Sequence, residues 1–562
     1  MRIYRTPALL FAAFLPLYVP FRSRFLVNWD AVNFALATLS FDLEHHQPHP
    51  PGYIGYVFAG WLLNHVTGDA NTSLTLLSLV ASAAAPAGFY LLATLFVERR
   101  HALWSAVLLG LSPVVWYYSG VALTYAVELA LGLFLLWAGY LGRQRRSEPM
   151  LVAATLLLVV LGAMRPSGAL LLMPLWLYLV WPLVWRARLT TASVLVMGNL
   201  LWLVPLFRLS GGIESFVRIS RELVNLVVVP TSVFGGGADL PGPLRNVVFV
   251  LFGVVVGVNF GLLLIGFGLL ANRRAFSLIR RHAAFLTLWL GPSVLVYVLL
   301  HTGQLGYVLL ILPAFYLLMA IAMQALAAPV SGRAGVQDGR APARRRPAIG
   351  RAGPPALAVA NVVFFLAIPP VLWGFVPKGS APSDASSRER GWVATALETG
   401  GVGTNPRQFD VRRSDRYWRD LIEFASQYDP EQTVILSAAD PSGSFRHLTF
   451  YLPEYRVYGL GWDLQRSFGH LFTAYGGASD YSPRSLFASQ PTLSLPSDVT
   501  TLIIPDRSVQ ALLAEGAGTT VSISGGFVVV VLSVSSQATV EVRSETGQKS
   551  HIAVASALVE DG

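Results

Sequence analysis

The segment 28–53, NWDAVNFALATLSFDLEHHQPHPPGY, decides how the rest of the chain is interpreted. It is polar, it carries three acidic residues and three histidines, and it ends in a His-Pro-Pro-Gly-Tyr turn. Long apolar segments lie before and after it. A polar loop held between apolar segments is where we expect the chemistry of such a chain.

The composition points to a membrane protein. Of the 562 residues, 54% are hydrophobic and only 13% are charged, which is too apolar for an ordinary soluble protein. The stretches 152–163 and 247–270 carry no charge, and a run of ~20 such residues crosses a bilayer as a helix. The net charge of +10 comes from arginines in short loops, which indicates helix orientation and not nucleic-acid binding. Without cysteine, disulfides and thiolate metal sites are excluded.

Hydropathy predicts an all-α polytopic domain with about eleven transmembrane helices. The segments are 7–21, 72–97, 102–119, 121–141, 149–165, 168–185, 190–208, 246–271, 283–300, 305–327 and 356–376. The first of them lacks a small-residue cleavage site, so we interpret it as a retained helix and not a signal peptide. With the N-terminus in the cytoplasm, every arginine-dense loop falls on the cytoplasmic side, and the loops 22–71 and 209–245 and the C-terminal part lie outside.

Four regions follow from these patterns. Residues 1–328 are predicted to form the transmembrane domain, 329–355 a basic disordered cytoplasmic linker, 356–376 the last span, and 385–562 an extracytoplasmic α/β or β-rich domain. Within the first region, 53–66 predicts a re-entrant or interfacial helix and 31–43 an amphipathic one. The glycine-rich loop 209–245 is predicted to act as a flexible gate.

Asp30 is the first candidate for chemistry. It follows Trp29, a residue type that anchors chains at the membrane interface. A carboxylate held there can accept a proton from an attacking hydroxyl, whereas the structural alternative is a helix N-cap for a segment starting at Ala31. The turn at His49 and Tyr53 is the second candidate, because two prolines and a glycine aim its side chains, although a rigid helix entry explains it equally well.

Two charged residues inside or beside the apolar segments are further candidates. Glu128 is the one carboxylate within a predicted span, and such a group faces a partner or a watery cavity; Tyr125 shares its helix face. Arg165 lies at the extracytoplasmic end of a span and suits a lipid phosphate. The structural alternatives are an interhelical hydrogen bond for Glu128 and snorkelling for the weaker candidates Arg208, Arg218, Arg221 and Arg245.

A metal site is the alternative explanation of the polar loop. His45, His46 and His49 lie near Asp42 and Glu44, but without a recognised ligand spacing. We therefore expect no tightly bound metal and no other cofactor, while a weakly bound divalent cation stays open.

An acid just after the first span, the His-Pro-Pro-Gly-Tyr turn and the polytopic body together resemble the GT-C glycosyltransferases. The resemblance covers roughly residues 1–320 and is greatest to the protein O-mannosyltransferase and aminoarabinose transferase branch. It implies an inverting transfer from a sugar on a polyprenyl phosphate, with Asp30 as the catalytic base. The family often has a second acid where this chain has Ala31, which leaves the acceptor class open. The motif His301–Tyr307 at the start of the tenth span is similar to one in related transferases, so His301 and Tyr307 are candidates for donor contacts.

The sequence thus predicts an extracytoplasmic glycosyltransferase of a bacterial inner membrane. Its partners would be membrane lipids, a polyprenyl-phosphate-linked sugar, and a protein, lipid or glycan acceptor, with no nucleic acid. A transporter or flippase of lipid-linked sugars and a non-catalytic membrane scaffold are the alternatives. The sugar, the acceptor, the polyprenyl length and the oligomeric state depend on pocket shape and do not follow from the sequence.

Overall fold

The computed structural model describes residues 5–235, 242–271, 273–327, 349–367, 408–439, 444–462, 470–474, 492–514, 518–523, 527–535, 538–543 and 551–555. The chain divides into two compact units. The helical unit comprises Met1–Arg22, Tyr53–Gly374 and Ala396–Gln408. The mixed unit comprises Ser23–Gly52, Phe375–Thr395 and Phe409–Gly562.

The α-helices are, in chain order, α1 Arg5–Tyr18, α2 Trp29–Leu39, α3 Ile54–Thr67, α4 Ala70–Ala93, α5 Arg99–Gly110, α6 Pro113–Ser119, α7 Tyr125–Arg145, α8 Glu148–Met164, α9 Pro166–Val180, α10 Trp185–Leu209, α11 Ile213–Leu223, α12 Gly242–Val258, α13 Gly261–Ala271, α14 Arg273–Arg281, α15 Ala283–Leu299, α16 Leu312–Ala327, α17 Ile349–Ala367, α18 Gln408–Ala425, α19 Phe445–Tyr451 and α20 Arg507–Gln510. The strands are β1 Thr433–Ala438, β2 Arg456–Trp462, β3 His470–Ala474, β4 Thr492–Ser494, β5 Thr501–Ile504, β6 Thr519–Ile523, β7 Phe527–Ser533, β8 Thr539–Arg543 and β9 His551–Ala555.

Apolar helices make up the helical unit. Helix α7 packs against α4 and α8, α1 packs against α4, and α13 packs against α16. Within the described residues, three helices, α4, α7 and α10, are long and apolar enough to cross a membrane, or up to six spans form if each bent helix pair counts as one. Five shorter apolar helices accompany them. The mostly helical chain with a β-containing C-terminal region is confirmed, while the number of eleven spans stays a prediction.

Two of the predicted spans are broken. The segment 246–271 bends by 89° between α12 and α13, where Asn259 has a φ of 57°. The segment 102–119 bends by 57° between α5 and α6, directly before Pro113. Proline restricts the residue before it to extended conformations, and Ser112 has a ψ of 129°. Hydropathy averages over a window, so it does not register such local breaks.

Other segments differ from the expectations in detail. Helix α2 is not an amphipathic surface helix, because residues 31–38 are all buried. Helix α17 begins at Ile349, inside the predicted linker 329–355, whose residues 329–348 lie outside the described part. The described part of the predicted gate 209–245 contains α11, a π-helix at Val224–Val228 and a 3-10 helix at Val229–Thr231. The re-entrant character of α3 and the domain limits stay predictions.

The mixed unit is built on a six-stranded sheet with the strand order β3-β2-β1-β5-β7-β6. Strand β1 pairs in parallel with β2 and β5, and the other neighbours are antiparallel. Successive residues of β1 face opposite sides, so Val434 and Leu436 join one core cluster and Ile435 joins the other, together with α18. Strands β4, β8 and β9 form a separate antiparallel sheet.

Asp506, which follows β5, ties the start of α19 to this sheet. Its carboxylate accepts hydrogen bonds from Ser437 Oγ at 2.5 Å and from Ala438 N at 2.8 Å, at the end of β1. It also accepts from Ser444 Oγ at 2.7 Å, and Ser444 is the residue before α19. The buried position of α19 is therefore set by the carboxyl ends of two parallel strands.

The polar loop that follows α1 is part of the mixed unit. Asp415 Oδ1 on α18 accepts hydrogen bonds from the backbone N–H groups of Arg24 (2.9 Å) and Phe25 (3.0 Å). The Tyr451 hydroxyl at the end of α19 accepts one from Leu26 N at 2.7 Å. In the structure the loop therefore groups with residues of the C-terminal region, while the predicted domain limits stay predictions.

Two buried histidines make the mixed unit sensitive to acid. Burial lowers the pKa of His46 to about 3, aided by the charge of Arg446, and burial lowers the pKa of His447 to about 3 as well. His447 stacks on Trp418 with ring centroids 4.0 Å apart. Between their ordinary pKa of 6.5 and pH 3 the unfolded chain binds more protons, so the stability contributed by these neutral histidines is complete above pH 6.5 and is lost as the pH falls.

We therefore expect the free energy of unfolding of the mixed unit to fall between pH 6.5 and pH 5, with unfolding taking up about two protons near pH 5. His447→Gln should reduce this uptake to about one proton. Denaturant titrations of the full chain over this pH range measure the free energy of unfolding, and its slope against pH gives the proton uptake. His65→Gln, at an exposed site, serves as the matched control. An unchanged slope in His447→Gln would contradict the assignment.

Candidate active site

Asp30 lies in the first turn of α2 and does not cap it. The cap is Asn28, whose side chain accepts the hydrogen bond from Ala31 N at 2.9 Å. The N-cap alternative for Asp30 is therefore wrong, because the helix begins two residues earlier than the sequence suggested. The side chain of Asp30 is 31% exposed, and its Oδ1 lies 3.8 Å from His49 Nδ1.

His49 is held beside Asp30 by the turn that follows α2. Its ring lies 5.2 Å from that of Phe34, and its carbonyl accepts a hydrogen bond from Gly52 N at 3.1 Å. Gly52 has a φ of 94°, which only glycine adopts without strain. The geometry brings together the acid and the histidine that the sequence singled out separately.

In the helical unit, Glu128 and Arg165 form a buried ion pair. Arg165 lies at the break between α8 and α9, and its Nε is 2.9 Å from Glu128 Oε2 in the first turn of α7. Although these two atoms are close, Arg165 Nε and both Glu128 oxygens have no hydrogen-bond partner among the described residues. Arg165 Nη1 donates to Thr124 Oγ1 at 2.7 Å. A guanidinium has five N–H donors, so these contacts do not exhaust it.

Aromatic side chains surround this pair. The guanidinium carbon of Arg165 lies 4.1 Å from the ring centroid of Tyr125 and 5.3 Å from that of Tyr307. Tyr53 is buried within electrostatic reach of Arg165 and has a φ of 40°, which is uncommon for a bulky residue. Rings that face a guanidinium stabilise its charge where water is scarce.

His301 lies at the edge of this cluster. Its ring centroid is 6.0 Å from that of Tyr307, and its Nδ1 is 2.8 Å from Thr231 Oγ1. Of the weaker arginines, Arg245 reaches the neighbouring Thr302 carbonyl at 3.4 Å. Arg208, Arg218 and Arg221 are exposed outside the cluster.

Three residues of the cluster were missed in the sequence. Thr124 lies four residues before Glu128, so helical spacing places the two on one face, a signal that could have found it. Tyr118 accepts a hydrogen bond from Gly306 N at 2.7 Å, and a Cβ at Gly306 would overlap the Tyr125 ring. Gly168, one turn after Arg165, lies so close to Glu128 that a Cβ there would overlap its carboxylate.

Gly168→Ala should therefore push Glu128 away from Arg165. We expect a loss of about 1–3 kcal/mol in stability, because overpacking at a buried contact forces side chains out of position. Thermal unfolding of the full chain in detergent measures it. Gly266→Ala is the matched control, since a Cβ there meets nothing within 4 Å. Equal effects of the two substitutions would contradict the close packing at Gly168.

In the polar loop, His45 and Asp42 contact each other and not a common centre, with His45 Nδ1 2.5 Å from Asp42 Oδ2. Within the described ranges, no group of three or more His, Asp or Glu side chains is arranged to hold a metal ion.

Comparison with known proteins gives a distant likeness. No protein-family model matches the chain, and no curated protein matches it. Among solved structures it is similar to ArnT from Cupriavidus metallidurans bound to undecaprenyl phosphate, with 14% identity and a TM-score of 0.48. It is also similar to the apo state of that protein, with 14% identity and a TM-score of 0.49. Both alignments cover 93% of this chain and 97% of the other.

Proposed function

We propose that this chain is an inverting GT-C glycosyltransferase that moves a sugar from a polyprenyl-phosphate donor to an acceptor hydroxyl. The proposal rests on the setting of Asp30. Its carboxylate is partly exposed and lies 3.8 Å from His49, and it does not cap α2, because Asn28 does. An acid in that setting can accept a proton from an attacking hydroxyl.

The reaction has one bond-forming and one bond-breaking event. The oxygen of the acceptor hydroxyl bonds to the anomeric carbon of the sugar, and its proton passes to Asp30. The bond from that carbon to the phosphate oxygen breaks, and the electron pair leaves with the polyprenyl phosphate. Attack opposite the leaving group inverts the anomeric centre.

Arg165 is the proposed ligand of the donor phosphate. A buried charge in an apolar helical unit is costly unless it is paired, and Glu128 pairs it. Arg165 Nε has no hydrogen-bond partner among the described residues, and the geometry of a guanidinium matches that of phosphate oxygens. Tyr125 and Tyr307 flank the guanidinium, and Tyr53 and His301 of the same helical unit are proposed to contact the donor. In the mixed unit, His49 beside Asp30 is proposed as a further substrate contact.

The proposed location is the extracytoplasmic face of a bacterial inner membrane, with the donor entering from the lipid. The acceptor would be a protein, a lipid or a glycan.

Transport of lipid-linked sugars is the second candidate, favoured by the three bent helix pairs of 57°, 89° and 74°. Broken helices are common at the binding sites of transporters. In such a protein Asp30, outside the helical unit, would have no catalytic role.

A donor panel tests the proposal. The purified full chain in lipid vesicles is offered radiolabelled polyprenyl-phosphate sugars of several types together with a membrane extract as acceptor. We expect labelled product from at least one donor, with inverted anomeric configuration by NMR. If no donor is consumed while a lipid-linked sugar crosses the vesicle bilayer, the transferase proposal is overturned in favour of transport.

A further inference from the structure

Helix α19 of the mixed unit carries a fully buried arginine. Arg446 has 0% relative exposure, and burying a charged side chain is costly unless the side chain is paired or hydrogen-bonded. The helix is held at its start by Ser444, which bonds to Asp506, and at its end by Tyr451, which bonds to Leu26 N. Arg446 therefore lies on a helix that is held by hydrogen bonds at both ends.

The guanidinium of Arg446 contacts the polar loop at two places. Its carbon lies 5.5 Å from the ring centroid of Trp29, the residue directly before Asp30. Its Nη2 donates a hydrogen bond to the carbonyl oxygen of His45. One side chain thus contacts both the start of α2 and the turn that follows this helix.

The turn around His45 leads directly to His49. Asp42 and Gln47 exchange two backbone hydrogen bonds, of 2.6 and 2.7 Å, and Asp42 holds the His45 ring at 2.5 Å. His46, between them, has a φ of 58°. These hydrogen bonds make the turn rigid. The hydrogen bond from Arg446 to the His45 carbonyl therefore also fixes the position of His49.

We propose that Arg446 is a positioning residue that fixes Asp30 and His49 relative to each other. It does so by holding Trp29 and the His45 carbonyl at the same time. The functional consequence rests on the proposed transferase activity, in which Asp30 is the base. Arginine suits this task better than lysine, because its planar guanidinium stacks on an aromatic ring while its fork donates to a carbonyl.

Kinetics of transfer test the catalytic part. Arg446→Met should lower kcat by about 10- to 100-fold, because a displacement of ~1 Å at a reacting group costs up to about 10²-fold. KM for the donor should change less than twofold. Arg446→Lys keeps the positive charge but not the planar guanidinium, so its kcat should lie between those of wild type and Arg446→Met. Arg456→Met is the control on the same sheet, since Arg456 pairs with Asp498 at the surface, and should transfer at the wild-type rate. A kcat of Arg446→Met within twofold of wild type would overturn the proposal.

A cysteine reporter tests the positioning part without any activity. The chain contains no cysteine, so Leu43→Cys places a single thiol in the turn, at a residue only 1% exposed. In the Arg446→Met background its reaction with a maleimide should speed up at least tenfold, whereas Arg456→Met should leave it unchanged. Equal rates in both backgrounds would overturn the positioning role. If wild type transfers no sugar but the reporter responds, the transferase proposal fails and the positioning role stands.

Discussion

Asp30→Asn is expected to lower kcat by roughly 10² to 10⁴, the range that a general base contributes, with donor binding unchanged. Asparagine has nearly the same shape but cannot take up the proton of the acceptor hydroxyl. The start of α2 should stay intact, because Asn28 and not Asp30 provides the cap. Single-turnover transfer at matched expression measures the loss.

The matched control for this substitution is Glu44→Gln, at an exposed acid in the same loop. It should transfer as wild type does. If Asp30→Asn retains wild-type transfer while the donor assay is otherwise positive, Asp30 is not the base and Glu128 becomes the next candidate.

Arg165→Gln is expected to have the second large effect, on both stability and donor binding. It leaves Glu128, which is 1% exposed, as a buried carboxylate without its ion-pair partner. Removing one member of a buried pair costs about 3–5 kcal/mol. Thermal unfolding and retention of a radiolabelled polyprenyl-phosphate sugar by the purified protein measure the two effects.

The double variant Glu128→Gln/Arg165→Gln separates the two effects. Two amides can bond to each other, so most of the lost stability should return. Donor retention should not return, because the proposed phosphate ligand is still missing. A double variant that retains donor like wild type would remove Arg165 from the phosphate site, and an unchanged melting temperature in Arg165→Gln would contradict the buried pair.

Local signals in the sequence led to most of the candidate residues. Glu128 was conspicuous as a carboxylate in an apolar span. Arg165 was conspicuous as an arginine at the extracytoplasmic end of a predicted span, where the positive-inside rule disfavours it. The structure brings these two together with Tyr125 and Tyr307. Their roles stay proposals.

The sequence could not indicate the helix cap, the bend between α12 and α13, or the contact of Arg446. These features depend on single backbone angles or on residues far apart in the chain. Asn28 and Asp30 are both good helix caps, so composition left the choice open until the first residue of α2 was known. The bend of 89° between α12 and α13 depends on single backbone angles within a continuous apolar run. The contact of Arg446 with His45 joins residues 401 positions apart, and periodicity reports only on neighbours along the chain.

That separation has a consequence for how the protein is made. A ribosome adds roughly 5–20 residues per second, so a newly made His45 exists for roughly 20–80 s before Arg446 is synthesised. The segment that carries Asp30 therefore acquires this support only after Arg446 has been made. A polypeptide released early, with every apolar helix through α17 in place, would still lack that support, so the proposed catalytic segment depends on a part of the chain that is made after those helices.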